Sequence, residues 1–279
     1  MRDFKDKVAA ITGAGSGMGR EIAILLAKKG CHLALSDVNV PGLKETEALV
    51  SQLGTGVRVT TDQVNVAKRE QVYKWADKVV ADHGKVNLIF NNAGVALSAT
   101  VEDMTYEDFD WLFNINFWGV VYGTKAFLPY IKATGDGHIV NTSSVFGLLS
   151  VPSQAAYNSA KFAVRGFTDA LRMELEMDPC GVSATTVHPG GINTNIAKTA
   201  RVDQSIDKLG LDHKTGKQKF ENMFITSPRS AAKTIVNAVW WNRRRVLVGP
   251  DAVVMDVGVR FFPTFYQIIV KWYARTFMA

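Results

Sequence analysis

Short apolar runs alternate along the chain with longer segments whose apolar residues return at helical spacing. The runs read as strands over Val8–Thr12, His32–Ser36, Val57–Thr61, Leu88–Asn91, His138–Thr142, Ser183–His188 and Arg245–Gly249. Several lack polar alternation, as in Leu88-Ile89-Phe90, which suits strands covered on both faces. Between them, Ile22, Leu25 and Leu26 make one helical stripe, and Val72, Trp75, Ala76 and Val79 make another. Repeated strand–helix–strand units imply right-handed crossovers and helices on both sides of a parallel sheet. With no long linker, internal repeat or low-complexity tract, residues 1–279 read as a single doubly wound α/β domain on a seven-stranded parallel sheet.

Composition changes this picture little. At 279 residues, 47% hydrophobic and 21% charged, the chain has the make-up of a globular protein with ample length for a core. The charged stretch Met1-Arg2-Asp3-Phe4-Lys5-Asp6-Lys7 does not resemble a signal peptide. Cys31 and Cys180 have no metal-ligand spacing around them, so no metal is expected and both read as reduced structural thiols in a cytoplasmic setting. A net charge of +6 is modest and reads as solubility, with anionic cofactors or membrane surfaces as other partners. Arg243-Arg244-Arg245 reads as a solvated helix end before Val246-Leu247-Val248. Nucleic acid is not an expected partner, since no recognition motif or basic stripe with interleaved aromatics occurs.

Two motifs carry chemistry. Thr12-Gly13-Ala14-Gly15-Ser16-Gly17-Met18-Gly19 follows the first strand and opens the first helix. Glycines there allow a tight turn and bring helix N–H groups against a pyrophosphate. Asp37 closes the second strand, where a carboxylate can accept ribose hydroxyls or simply start the turn before Asn39. In Tyr157-Asn158-Ser159-Ala160-Lys161, the phenol and ammonium lie four residues apart, on one face of a helix. A nearby positive charge favours phenolate, so Tyr157 is expected to be acidified and to exchange protons near neutral pH.

Together these residues, with Ser144 upstream and Asn91-Asn92-Ala93-Gly94 after the fourth strand, resemble the short-chain dehydrogenase/reductase family in its compact-subunit branch. The resemblance runs to about Gly249 and implies a Rossmann-type domain. It implies catalytic roles for Asn116, Ser144, Tyr157 and Lys161: Ser144 binds the substrate oxygen, Tyr157 moves the proton, Lys161 tunes it, and Asn116 helps hold a water. Lys161 would also bind the nicotinamide ribose, with Tyr157 in contact. Cofactor binding is implied for Gly13, Ser16, Gly17, Met18 and Gly19, for Asp37 and Val38, and for Asn92, Ala93 and Gly94. Pro189, Gly190, Ile192 and Thr194 match the segment that meets the nicotinamide carboxamide. Asn65-Val66 stands where relatives carry Asp-Val at adenine, and an amide still offers both donor and acceptor. Asp37 would repel a 2′-phosphate, and neither Ser16 nor Val38 is basic, which favours NAD(H) over NADP(H). His138 and His188 read as strand residues outside the catalysis.

The expected function is therefore an NAD(H)-dependent oxidoreductase that interconverts an alcohol and a ketone or aldehyde, on an apolar substrate, in a homodimer or homotetramer. A silent dinucleotide sensor or scaffold, and a redox-neutral epimerase or dehydratase, are the alternatives. Residues 195–227 read as a substrate-covering region, with Ile196, Met223 and Phe224 hinting at an apolar wall, to which Val145, Phe146, Leu148 and Leu149 could add. Residues 250–279 form an aromatic extension beyond the family pattern, interrupted by Arg260, Lys271 and Arg275. It could pack on the body, pair subunits or lie on a membrane surface, and a spanning helix is not expected.

Overall fold

The computed structural model describes residues 3–196, 198–215 and 224–277. Seven parallel strands form one sheet: β1 (Val8–Thr12), β2 (His32–Asp37), β3 (Val59–Gln63), β4 (Leu88–Asn91), β6 (Gly137–Thr142), β7 (Val182–Pro189) and β9 (Arg245–Val248). Their order is β3-β2-β1-β4-β6-β7-β9. A second, two-stranded sheet pairs β5 (Leu97–Ser98) with β8 (Arg201–Val202).

One face of the main sheet is covered by α1 (Gly17–Ala27), α2 (Val40–Ser51) and α7 (Pro228–Trp240). Their Ile22, Leu26, Leu43, Ile235 and Val239 pack on Ala9 and Ile11 of β1. The other face is covered by α3 (Arg69–His83), α5 (Gly119–Ala133) and α6 (Ala155–Met177), through Trp75, Val79, Phe127, Ile131 and Leu171. Val8 and Ala10 of β1 point to that second layer. Alternate residues thus enter different cores, which is why β1 shows no polar alternation.

Most strand boundaries expected from the pattern hold to within a residue, and β3 departs from them. Its pairing runs from Leu33 opposite Val59 to Asp37 opposite Gln63, later than Val57–Thr61. β3 is an edge strand with half-buried Thr60, Thr61 and Asp62, so hydrogen-bond register and not hydrophobicity sets its ends. The basic run is also corrected: α7 ends at Trp240, Arg244 pairs with Glu176 at 2.7 Å, and Arg245 lies within β9 in an ion pair with Asp256. Both charges are held by carboxylates and do not cap a helix.

After β3 the chain crosses over β1 to form β4, so the sheet changes direction between these strands. In such sheets a crevice opens at the carboxyl ends, where the β1–α1 turn and the segment after β4 separate. A buried polar chain braces the sheet beneath it. Asn91 Nδ2 donates to Thr124 Oγ1 (3.2 Å) and Asn141 Oδ1 (2.8 Å), and Asn141 Nδ2 donates to Thr168 Oγ1 (3.0 Å). Beyond β9, α8 (Pro250–Phe261) and α9 (Tyr266–Phe277) form the extension. Among the described residues, no helix is long and apolar enough to cross a membrane.

Gly123 on α5 leaves the room Asn91 occupies, since a Cβ there would run into Asn91 Oδ1 and lie 2.9 Å from its Cγ. Gly123→Ala is therefore expected to cost about 2 kcal/mol, in the range of overpacking and buried hydrogen-bond loss. Gly166→Ala on α6, where a Cβ meets nothing within 4 Å, should instead gain up to about 1 kcal/mol. Urea unfolding midpoints of the pair check the contrast.

Candidate active site

β1 delivers the chain into a turn that only small residues permit. Gly13 and Gly17 adopt φ of 66° and 53°, left-handed values that favour glycine. A Cβ on Gly13 would lie 2.9 Å from Ala93 Cα, and one on Gly19 would run into the Gly13 carbonyl. Ser16 is the N-cap of α1 but makes no side-chain capping bond, and the first turn carries no acidic residue. The helix therefore presents uncapped N–H groups and an unopposed positive dipole end, as Met18 and its neighbours would need to hold a phosphate.

Asp37 stands beside this turn. Its Oδ2 accepts from Gly15 N and its Oδ1 from Asn39 N, both at 2.9 Å. It therefore starts the turn before Asn39, and its carboxylate is fixed at the end of β2 next to exposed Val38. The nearby cation, Arg20, is engaged by Glu45 through two bonds of 2.7 and 2.6 Å and by the Gly15 carbonyl.

The segment after β4 is pinned to the same turn. Backbone N–H groups of Asn92 and Ala93 donate to Thr12 Oγ1 at 3.0 and 3.1 Å, and Asn92 Nδ2 donates to the Thr12 and Gly13 carbonyls. Asn92 Oδ1 is buried with no partner. Two residues on, a Cβ on Gly94 would lie 3.2 Å from Asn116 Oδ1 and 3.7 Å from Lys161 Nζ. Open backbone, an uncapped helix start and an orphaned amide oxygen in one strip fit a dinucleotide.

Asn116 does not sit in a regular α-helix. It lies in a π turn (Asn114–Trp118) between α4 (Tyr106–Phe113) and α5. Its carboxamide is clamped to Val95 by two 2.8 Å bonds, accepting from the N–H and donating to the carbonyl. π turns unsettle the local ladder and are frequent at functional sites.

Ser144 follows β6, and its Oγ accepts from Phe146 N at 3.1 Å. Tyr157 and Lys161 project from the first turns of α6. Lys161 Nζ is 5.6 Å from the Tyr157 ring centre and donates to the Thr142 carbonyl at 2.9 Å. Tyr157 packs edge-on to Phe146, with centroids 6.2 Å apart. Its other neighbours include Leu97, Leu112 and Ala160. Burial pushes its phenol up to about 12, against a smaller downward pull from the hydrogen bond with Ser144. Burial also brings the Lys161 ammonium down to about 8. In the protein alone the phenol is thus raised and not acidified as the sequence suggested, because the partial burial of the ring outweighs its hydrogen bond with Ser144.

His138 and His188 are buried within β6 and β7, and burial lowers them to about 3 and about 4, so both are neutral. His188 Nδ1 bonds the Ser144 carbonyl at 2.9 Å and so steadies the backbone beneath the serine. Nothing in its strand pattern signalled that contact.

Across the crevice, Pro189, Gly190 and Gly191 leave β7 under the control of Asp251, in the first turn of α8. Asp251 Oδ2 accepts from Gly191 N at 2.6 Å, and Asp251 fills the space that a Cβ on Gly190 would need. Ile192 bridges to Thr226, and Thr194 Cγ2 lies 3.1 Å from a Cβ placed on Gly17. The loop after β7 and the glycine turn therefore meet. Asn65 is bound at its Oδ1 by Ala67 N (3.0 Å), and Val66 packs against Gly119. Val145, Leu148 and Leu149 are buried in the body, which leaves Phe146 as the aromatic facing Tyr157. Met223 lies outside the described residues. Asp207, Asp212 and His213 gather between β8 and α7 with atoms within 4.8 Å, a grouping held by the Asp207–His213 bond of 2.7 Å.

The short chain dehydrogenase family model matches residues 7–205. SadH of Mycobacterium tuberculosis, named as an oxidoreductase, is 48% identical over 271 residues, covering 97% of this chain and 96% of SadH. A short-chain dehydrogenase/reductase from Burkholderia phymatum, solved in complex with NAD, superposes with a TM-score of 0.87 at 30% identity, covering 96% of this chain and 97% of that one. An alcohol dehydrogenase from Thermococcus sibiricus, complexed with 5-hydroxy-NADP, superposes with a TM-score of 0.70 at 27% identity, covering 87% and 95%.

A lysine lowered from 10.5 to about 8 makes the cofactor-free protein less stable where the ammonium is charged. Below about pH 8 both states are protonated and the full cost, about 3 kcal/mol, applies; it fades as pH rises from about 8 to 10.5, where the unfolded chain alone holds the proton. Lys161→Met should therefore resist urea better than the parent at pH 7, with the advantage shrinking over that window. Equal midpoints at both pH values would contradict the buried charge.

Proposed function

The chain belongs to the short-chain dehydrogenase/reductase family as an oxidoreductase, and from that premise we propose that it interconverts an alcohol and a ketone or aldehyde, with NAD(H), on a lipophilic substrate. The observation that carries this reading is the meeting of Ser144, Tyr157 and Lys161 beside Gly94, at the strand ends that also carry the uncapped glycine turn.

In oxidation, Ser144 and Tyr157 hold the alcohol oxygen, and the Tyr157 phenolate takes its proton; in reduction the phenol returns that proton to the carbonyl oxygen. A bound oxidised dinucleotide would supply the hydride acceptor and a positive ring charge that favours phenolate. Lys161 adds its ammonium from a position fixed by the Thr142 carbonyl. With its phenol raised by burial, Tyr157 depends on neighbouring positive charge to ionise near neutral pH. Asn116, anchored on Val95, holds the segment before Lys161's pocket in place.

In the cofactor strip, Gly13, Ser16, Gly17, Met18 and Gly19 take the pyrophosphate, and Asn92, Ala93 and Gly94 line the ribose. Asn65 and Val66 meet adenine, while Pro189, Gly190, Ile192 and Thr194 meet the carboxamide. The preference for NAD(H) is supported by the Asp37 carboxylate, by neutral Ser16 and Val38, and by Arg20 being committed to Glu45. The apolar surroundings of Tyr157 support a lipophilic substrate, covered by residues 195–227. Exposed Trp118, Phe162 and Met173 support a homo-oligomer. An intact Ser144–Tyr157–Lys161 set favours turnover over a silent sensor, and no residue in it favours redox-neutral chemistry.

Tyr157→Phe should lower turnover about 10²–10⁴-fold in an NADH-formation assay across an alcohol panel, with NAD binding retained by fluorescence titration. A turnover rate equal to the parent's refutes the acid–base role. Asp37→Ala combined with Val38→Arg should move the ratio of specificity constants toward NADP(H) by about tenfold or more. An unmoved ratio removes Asp37 from the ribose site.

A further inference from the structure

The extension has two unlike sides. Along α9, Tyr266, Val270 and Ala274 recur every four residues and turn inward. Ala274 packs with Ile206 and Leu211 of the covering segment, and the Tyr266 hydroxyl accepts from Ser150 N at 3.2 Å. The opposite side is exposed and apolar: Phe265, Ile268, Ile269 and Trp272 are each more than half exposed, and Phe261 at the end of α8 is 74% exposed. So large an apolar area facing solvent marks an interaction surface.

Charge decides what the surface fits. Lys271 and Arg275 are exposed on the same outer half of α9, and neither forms an ion pair among the described residues. α9 contains no Asp or Glu. In α8, Asp256 is already held by Arg245 and Arg260, and Asp251 by Gly191. A two-fold contact between copies would bring like charges together with no spare carboxylate on these helices to answer them. An anionic surface answers them directly. Aromatic and aliphatic side chains edged by basic ones, on a helix lying flat, are what a bilayer interface accepts.

We propose that the outer face of α8 and α9 docks this protein onto the surface of an anionic lipid bilayer, with Phe261, Phe265, Ile268 and Ile269 entering the interface and Lys271 and Arg275 on its headgroups. The surface is independent of the chemistry at Tyr157, and its test uses no turnover.

The full chain is sedimented with phosphatidylcholine vesicles and with vesicles that also contain phosphatidylglycerol. The expected result is binding to the second kind, weakened by salt. Lys271→Gln with Arg275→Gln should bind those vesicles about thirtyfold more weakly, at about fivefold per basic residue near the surface. Ile268→Ser with Ile269→Ser should bind at least about tenfold more weakly. Unchanged thermal midpoints and unchanged NAD affinity in both variants show that the body is intact. If a variant loses either, Ile269→Ser alone replaces it. The proposal is overturned if the parent binds neither vesicle, binds both equally, or binds undiminished after the substitutions. It is also overturned if the isoleucine variants instead turn a dimer into monomers, which makes the face a contact between copies.

Discussion

Lys161 must carry its charge where water scarcely reaches, and much of the active-site half follows from that requirement. Among the described residues its ammonium donates to the Thr142 carbonyl at the end of β6, and it lies close to the Gly94 backbone. Burial shifts the balance toward the neutral amine, so the position is destabilising until neighbouring groups use the charge. The polar chain from Asn91 through Asn141 to Thr168 keeps the strands beneath it from relaxing away. A site in which lysine and tyrosine are both pushed toward neutrality gains most from a charged ligand, because only then do the two ionised forms become favourable together.

The close approach of backbones makes the second half of the crevice. Gly13 meets Ala93, Gly19 meets Gly13, Gly17 meets Thr194, and Gly94 meets Asn116 and Lys161. These contacts run from the glycine turn to the Lys161 ammonium. They are also why the sheet can change direction between β1 and β4 with its loops still touching. The same packing explains the two roles of Asp37, whose oxygens hold Gly15 and Asn39 while the carboxylate remains at the strand end.

Features set by local chemistry were legible in the sequence. Apolar runs located the central strands because both faces of those strands enter cores, and β1 and β4 were read to the residue. The glycine turn and the Tyr157–Lys161 pair were legible because their spacing is itself the geometry. What depends on distant partners was not. β3 is shifted because its edge is fixed by pairing with β2, and β5 is too short to leave a pattern apart from β8. The π turn at Asn116 has the composition of an ordinary helix, and it is the clamp on Val95 that marks it. Neither His188 beneath Ser144 nor Asp251 against Gly191 carries a local signature, since each acts on a segment far along the chain. The phenol's upward shift was also hidden, because spacing reveals the neighbouring charge but not the dryness of the site.

The extension lies past the end of the family resemblance, and of the placements open to it the structure shows packing on the body. Asp251 ties the start of α8 to the loop after β7, where Gly190 and Gly191 leave the sheet. One turn later Asp256 joins Arg245 of β9, so α8 is fastened at two points, to that loop and to the edge strand. α9 then returns over Ile206 and Leu211 and reaches the loop beyond Ser144 through Tyr266. A helix pair held this way cannot swing freely, and anything seated on its outer face takes a set orientation relative to the crevice. The inner and outer faces thus have separable tasks: one supports the loops around Ser144 and Ile192, and the other decides what surface those loops are carried to.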